Sequence, residues 1–366
     1  MKRLVCVVCG CLLLLMMGTL HVRAEEVYDD TLQSLLALSD EDTFLPPDAD
    51  LSAPETLTRN GFAAFLQKCW DTVREEAGTP LRTLTLLFGV ILLSALAQGV
   101  GQGAESVYAC ICTLCAVGII SEPLIGVFER AVETLCRTSN FMLGFTGIFG
   151  SVIAVSGSIS TAAVYQGSMA VLCEISGKTA GSLLFPMLSM SLAMSIVDAV
   201  NPAVSLQGLI GMMQKVSAWL LGLLMAGFLG LLSVQSLVTA AADRAGTKAA
   251  KYVISGSIPI VGGAVSDAYA AVLGSFGVLR STVGLTGILL VLSLLLPAVV
   301  SLGLYRLVVM CAGAVSELFD VKVLTRLFKN LESVMATGFS TAVCFSVLYL
   351  FSTAVMLLIG TGGAAG

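Results

Sequence analysis

Long apolar runs, separated by short polar interruptions, make up most of this chain. About 20 predominantly apolar residues suffice for a helix to cross a bilayer. By this criterion the pattern predicts about seven spans, with six or eight as alternatives, at residues 81–100, 107–125, 140–159, 180–200, 216–238, 283–315 and 337–360. The sixth run contains Pro297 and Arg306 and exceeds one straight span, so it predicts either one kinked helix or two shorter ones. The predicted fold class is all-α, a polytopic membrane helical bundle.

Residues 1–24 have the composition of a signal peptide. Lys2 and Arg3 precede an apolar run, and Ala24 is the small residue that a signal peptidase favours. Cleavage after Ala24 places the new N-terminus, Glu25, on the extracytoplasmic side of the membrane. An uncleaved first helix is the alternative.

Four further regions follow the signal peptide. Acidic residues and prolines predict an extracytoplasmic, partly disordered segment at 25–80. Next come a first transmembrane block at 81–238, a polar segment at 239–282 and a second transmembrane block at 283–366. Small residues in the spans, such as Gly222 and Gly230, permit close helix contacts, either within a compact bundle or in an oligomer.

Residues 318–335, the linker segment, predict an amphipathic helix lying in the membrane interface. One helical face carries Val321, Leu324, Leu327, Phe328, Leu331 and Val334, and the other carries Lys322, Arg326, Lys329 and Ser333. We expect the charged face to contact lipid headgroups or a partner protein.

The orientation of the chain depends on the span count. Starting outside, seven crossings place the basic stretch 244–251 in the cytoplasm, as the positive-inside rule favours, but leave the basic residues of the linker segment outside. Splitting the 283–315 run into a hairpin at Pro297 returns the linker charges to the cytoplasm and leaves the C-terminus outside. Both arrangements stay open.

Composition confirms a membrane protein and excludes several functions. The chain is 57% hydrophobic and only 12% charged, with a net charge of -5, so it lacks the basic surface that nucleic acid requires. The one histidine, His21, lies in the signal peptide, which removes histidine-dependent hydrolase and zinc protease sites from the mature chain. Cys112 and Cys115 have C-x-x-C spacing without a second ligand pair. We expect no metal, no cofactor and no enzymatic activity.

A few ionisable or polar residues interrupt the apolar segments. Glu174 and Lys178 have the spacing of a helical ion pair. Asp198, with Asn201 shortly after it, ends the fourth predicted span, and Arg306 lies inside the sixth. Such residues mark aqueous paths in transporters, but a capped helix end explains Asp198 equally well.

The polar segment 239–282 predicts a helix, a breaker and a second helix. Its first helix contains Asp243, Lys248 and Lys251. The breaker follows at Pro259 and at the pair Gly262 and Gly263, and Asp267 lies in the second helix. This arrangement suits a hinge, a reentrant hairpin or a docking element, and a purely structural turn is the alternative.

The same region resembles the stage III sporulation protein AE family of endospore-forming bacteria. The resemblance rests on Gln235-Ser236, Ala241-Ala242-Asp243, Lys248, Lys251-Tyr252, Ser255, the run Ile258-Pro259-Ile260-Val261-Gly262-Gly263-Ala264-Val265-Ser266-Asp267-Ala268, and Gly274-Ser275. The order of regions along the mature chain also agrees with this family.

The resemblance implies a non-enzymatic subunit of the channel, or feeding tube, that joins the mother cell to the engulfed forespore. It implies a place in the mother-cell membrane around the forespore and a role in late forespore gene expression. The implied partners are proteins of the same operon, namely a secretion-type ATPase, small membrane proteins and ring-forming proteins, beside membrane lipid. A self-contained secondary transporter is the alternative function, although the two halves of the sequence show no inverted repeat.

Overall fold

The computed structural model describes residues 66–97, 105–155, 159–200, 205–257 and 262–361, and within these ranges every regular element is a helix. The elements are α1 (66–76), α2 (Gly78–Ala97), α3 (Glu105–Val155), α4 (Ile159–Thr179), a π-helical turn (Ala180–Leu184), α5 (Phe185–Val200), α6 (Gln207–Ser257), α7 (Gly262–Leu318) and α8 (Lys322–Thr361).

In the described ranges, six helical stretches are long and apolar enough to cross a membrane. They are Gly78–Ala97, Val107–Ala154, Ala162–Val200, Gln207–Leu231, Val283–Leu318 and Lys322–Ala354. The all-α membrane bundle is therefore confirmed, with six such stretches instead of the seven that we favoured. The sixth apolar run is one helix, since α7 continues through Pro297.

Two predicted spans merge because α3 is continuous. Spans at 107–125 and 140–159 imply a connection at 126–139, but α3 extends over 51 residues, about 76 Å at 1.5 Å per residue. Its charged side chains Glu129, Glu133 and Arg137 share the exposed face. Ala131 and Leu135 lie on the opposite, buried face, so packing maintains the helix through the charged stretch.

The run from α4 through α5 lies antiparallel to α8. Near one end, Arg326 Nη2 of α8 contacts Asp198 Oδ1 of α5 at 2.7 Å. Near the other, the hydroxyl groups of Ser176 and Tyr349 hydrogen bond at 2.7 Å. Residues 160–181, which lie between the third and fourth predicted spans, are therefore part of a long helical run that leads through the π-helical turn into α5.

Helix α7 is antiparallel to both α8 and α3. Gly313 faces Phe328 and Gly303 faces Phe339, which aligns the two helices of the α7–α8 hairpin. Toward the start of α7, Gly287 packs against the ring of Phe145 in α3. That ring is completely buried and stacks between two neighbouring phenylalanine rings, at centroid distances of 6.1 and 5.3 Å.

These directions give the bundle two distinct ends. The turn end holds the C-terminus of α2, the N-terminus of α3, the α5–α6 connection and the α7–α8 turn at 319–321. The elbow end holds the C-termini of α3 and α8 and the N-terminus of α4. Here α6 and α7 continue into the elbow, which we define as residues 239–257 and 262–282.

The linker segment does not form a separate interfacial helix. Val321 precedes α8 and the rest of its apolar face lies on the first turns of α8, and these residues are at most 3% exposed. They pack into the bundle because α7 turns back sharply through Asp320, whose φ of 52° is left-handed. The Val321 N–H donates to Ser316 O at 3.0 Å and closes this turn.

Candidate functional site

The turn end contains the most extensively connected polar site in the described part of the chain. Asp198, in the last turn of α5, is 1% exposed. Arg326 and Asn330 lie one turn apart on α8 and face it, and the Leu206 backbone N–H approaches from the α5–α6 connection. We call these four groups the polar cluster.

The carboxylate of Asp198 is saturated with donors. Arg326 Nε donates to Oδ2 at 2.8 Å and Arg326 Nη2 donates to Oδ1 at 2.7 Å, in a bidentate ion pair. Asn330 Nδ2 donates to Oδ2 at 3.0 Å, and the Leu206 N–H donates to Oδ1 at 2.8 Å. Each oxygen therefore accepts two charge-assisted hydrogen bonds, which is how a buried carboxylate is made tolerable.

This geometry joins three parts of the chain at one carboxylate: the end of α5, the start of α6 and the start of α8. Each carboxylate oxygen already accepts two hydrogen bonds from the protein, so Asp198 has little accepting capacity left for a substrate or a passing ion. The arrangement favours a capped and anchored helix end over a conducting group.

A polar cleft of about 320 Å³ opens beside the cluster. Its lining residues are Gln207, Glu317, Asp320, Lys322, Thr325, Arg326, Lys329 and Asn330. Lys329 Nζ and Glu317 Oε1 pair at 3.1 Å on its exposed rim. With two acidic and three basic residues, this cleft has the mixed charge of a protein docking surface more than of a simple anion site.

Glu174 and Lys178 form an ion pair on the outer surface of α4, with side chains 60% and 74% exposed. Ser176, between them in sequence, faces inward to Tyr349. Exposed charges on an apolar bundle fit contact with water or another protein better than contact with lipid. The pair therefore marks a surface of α4 that is unsuited to the bilayer interior.

Arg306 is half-buried on α7, with its guanidinium carbon 5.6 Å from the centroid of the Phe339 ring. This is a cation–π contact within the α7–α8 hairpin. It lies away from the polar cluster, so the structure does not bring Arg306 and Asp198 into one site.

The candidate residues of the elbow are described by their backbone alone. Asp243, Lys248 and Lys251 lie on α6, Gly262 and Gly263 begin α7, and Asp267 follows in α7. Pro259 and Asn201 lie outside the described residues. Their chemistry stays a prediction.

Asn330 and the Leu206 N–H were missed from sequence. The only available signal was local, since Arg326 and Asn330 are four residues apart and share a helical face. Nothing local connects them with Asp198, which precedes Arg326 by 128 residues. Among the described residues, no group of three histidine, cysteine or acidic side chains is placed to hold a metal ion.

Together, the fold and the polar cluster define a polytopic helical membrane protein whose bundle is joined at one end by an ion pair between buried Asp198 and partly exposed Arg326. The family model of stage III sporulation protein AE matches residues 58–360, and the chain belongs to this family.

A curated relative gives the same result. The Stage III sporulation protein AE of Bacillus subtilis (strain 168) is 24% identical over 231 residues, which is 63% of this chain. The match spans 58% of the length of that relative. No solved structure matches the chain.

Proposed function

We propose that this chain is a non-enzymatic, multi-pass subunit of a secretion-like channel complex between mother cell and forespore. It acts in the mother-cell membrane around the forespore and supports late forespore gene expression. The observation that carries this proposal is the family match over residues 58–360, together with six apolar helical stretches of membrane-spanning length.

The polar cluster supports a structural role. Its carboxylate is held by four donors, an arrangement that fixes helices and leaves no basic group poised to remove a proton. The cleft beside it supplies a mixed-charge surface for another protein.

The surface of α6 supports a role as a subunit. Its glycines Gly222 and Gly230 have open space where a Cβ would lie, with no atom within 4 Å, and Ala226 between them is exposed. Small residues at this spacing allow a second transmembrane helix to approach closely. We propose that the partners include other proteins of the sporulation operon, among them a secretion-type ATPase, small membrane proteins and ring-forming proteins.

Deletion of the gene in its native spore-forming host tests the function. We expect engulfment to be completed while a late forespore transcription reporter stays near background. The intact chain should restore the reporter, as should the control variant Glu133→Ala, which changes one exposed side chain of α3 outside the cleft. Full reporter activity in engulfed cells that lack the protein contradicts the proposal.

A second experiment addresses the transporter alternative. Purified protein in sealed liposomes, with a proton or sodium gradient imposed, should show no accumulation of amino acids, nucleotides or sugars above protein-free liposomes. Gradient-dependent uptake by this chain alone makes it a secondary transporter and overturns the subunit assignment.

A further inference from the structure

We infer that the N-terminal side of α2, the elbow and the C-terminal end of α8 share the extracytoplasmic side of the membrane, and that the α7–α8 turn faces the cytoplasm. The elbow is therefore exposed to the extracytoplasmic space, and the polar cleft at the turn end is exposed to the cytoplasm. The inference rests on helix directions and the N-terminal signal, and is independent of the sporulation role.

The direction of α2 is fixed by its contacts with α7. Glu76, directly before α2, accepts a hydrogen bond from Ser301 Oγ at 2.9 Å. Further along both helices, Thr83 lies beside Tyr305. Helices α2 and α7 are therefore parallel, and since α7 ends at the α7–α8 turn, α2 also runs toward the turn end.

The direction of α6 follows from its first residues. Leu206, directly before α6, donates to Asp198 in the polar cluster. Two turns into α6, Gln214 accepts a hydrogen bond of 2.7 Å from Ser333, which is likewise further along α8. Helix α6 thus starts at the turn end and continues alongside α8 to the elbow end.

The parity of crossings then sets the sides. Helix α2 crosses to the turn end, α3 returns, the α4–α5 run crosses again, and α6 returns to the elbow end. Helix α7 crosses once more and α8 returns. Six crossings leave both termini and the elbow together, whereas the seven-span expectation placed the basic stretch 244–251 opposite the N-terminus.

The signal peptide assigns this shared side to the exterior. Charge alone does not decide, because the elbow carries Arg244, Lys248 and Lys251 and the turn end carries Lys322, Arg326 and Lys329. Arg326 is also neutralised by Asp198. Cleavage after Ala24 exports the N-terminal segment, and the elbow follows it.

Single cysteines in a cysteine-free full-length chain test the inference. The chain is expressed in vegetative cells, where the extracytoplasmic face is open to the medium, and treated with a membrane-impermeant maleimide before and after permeabilisation. We expect Lys248→Cys to be labelled in intact cells, and Lys322→Cys to gain at least tenfold in labelling only on permeabilisation. Thr247→Cys provides a second elbow position if the first variant fails to accumulate.

The reverse pattern, with Lys322→Cys labelled in intact cells and the elbow protected, overturns the inference and restores the seven-crossing arrangement. Protection of both positions, or labelling of both, overturns it as well. None of these outcomes bears on the deletion phenotype, so the inference and the proposed function can fail separately.

Discussion

Asp198 shows how much one side chain depends on distant neighbours. Its carboxylate is buried, whereas the Arg326 side chain is 32% exposed, so each loses a different amount of solvation on pairing. Removing one member of such a pair leaves a charge without compensation, and this is more harmful than removing both.

We predict that Arg326→Gln lowers the free energy of unfolding by about 3 kcal/mol, because Asp198 stays buried with only two neutral donors. The control Lys329→Gln, which breaks the exposed pair with Glu317, should change it by less than about 1 kcal/mol. Titration of both proteins with SDS in mixed micelles measures the difference. Adding Asp198→Asn to Arg326→Gln should recover part of the loss. Equal effects of Arg326→Gln and Lys329→Gln contradict the prediction.

Two glycines provide a second residue-level prediction. A Cβ at Gly287 would overlap the buried ring of Phe145, which its stacked neighbours hold in place, so Gly287→Ala should destabilise the protein by about 1–3 kcal/mol. Gly222→Ala has open space and should be neutral or stabilising by up to about 1 kcal/mol. Thermal unfolding in detergent compares them, and similar shifts for both variants exclude the packing explanation.

Local spacing predicted some of these residues and not others. Glu174 and Lys178 are neighbours on one helix, so four-residue spacing alone suggested their pairing. The partners of Asp198 depend on how α5 and α8 pack, and Gly222 and Gly287 differ only in whether another helix lies opposite. Neighbouring residues in the sequence indicate neither how α5 and α8 pack nor which glycine has a helix opposite it.

At the level of elements, α3 is the clearest departure from expectation. The spans predicted at 107–125 and 140–159 left the charged stretch at 126–139 as a connection. The hydrophobic period was the better guide, since Phe128, Ala131 and Leu135 keep one face buried through this stretch. Averaging over a window hides that face.

Continuity of α3 is testable with proline. Glu133 is exposed, so Glu133→Ala should have little effect. Glu133→Pro removes a helical hydrogen bond and should destabilise the protein by about 3 kcal/mol, seen as faster degradation in membranes and a lower unfolding midpoint. Equal stability of the two variants indicates a loop at this position.

The α7–α8 turn gives another prediction at this scale. Asp320 has a φ of 52°, a conformation that glycine adopts easily and that a β-branched residue resists. Asp320→Gly should match or slightly exceed the native stability, and Asp320→Val should lose about 1–2 kcal/mol. Unfolding midpoints compare the two variants. A higher midpoint for Asp320→Val than for Asp320→Gly excludes left-handed geometry in this turn.

For the whole molecule, composition sufficed for the fold class but not for the number of crossings. Apolar content is additive along the chain, so membrane insertion was predictable from 57% hydrophobic residues. The number of crossings depends on which polar interruptions become connections. Three interruptions lie within or against long helices instead: one in α3, one between α4 and α5, and one in the linker segment. The hydrocarbon core of a bilayer is about 30 Å thick. Because several helices are longer than this, the sequence alone does not show which polar interruptions end a crossing.

Helix α8 contacts α3, α5, α6 and α7, so we predict that it is needed to complete the bundle. A chain ending at Asp320 should be degraded in the membrane, because Asp198 then lacks Arg326 and Asn330. A chain ending at Thr361, the last residue of α8, should accumulate normally. Immunoblots of membrane fractions after a translation block measure both, and equal half-lives contradict this dependence.

Arg326 follows Asp198 by 128 positions, and this separation also corresponds to a delay during synthesis. At 5–20 residues per second, α5 emerges about 6–26 s before the arginine that neutralises its carboxylate. Throughout that interval the nascent protein carries an uncompensated acid at the end of an apolar helix. Its susceptibility to membrane proteases should therefore be set by translation speed over this stretch as much as by the stability of the finished bundle.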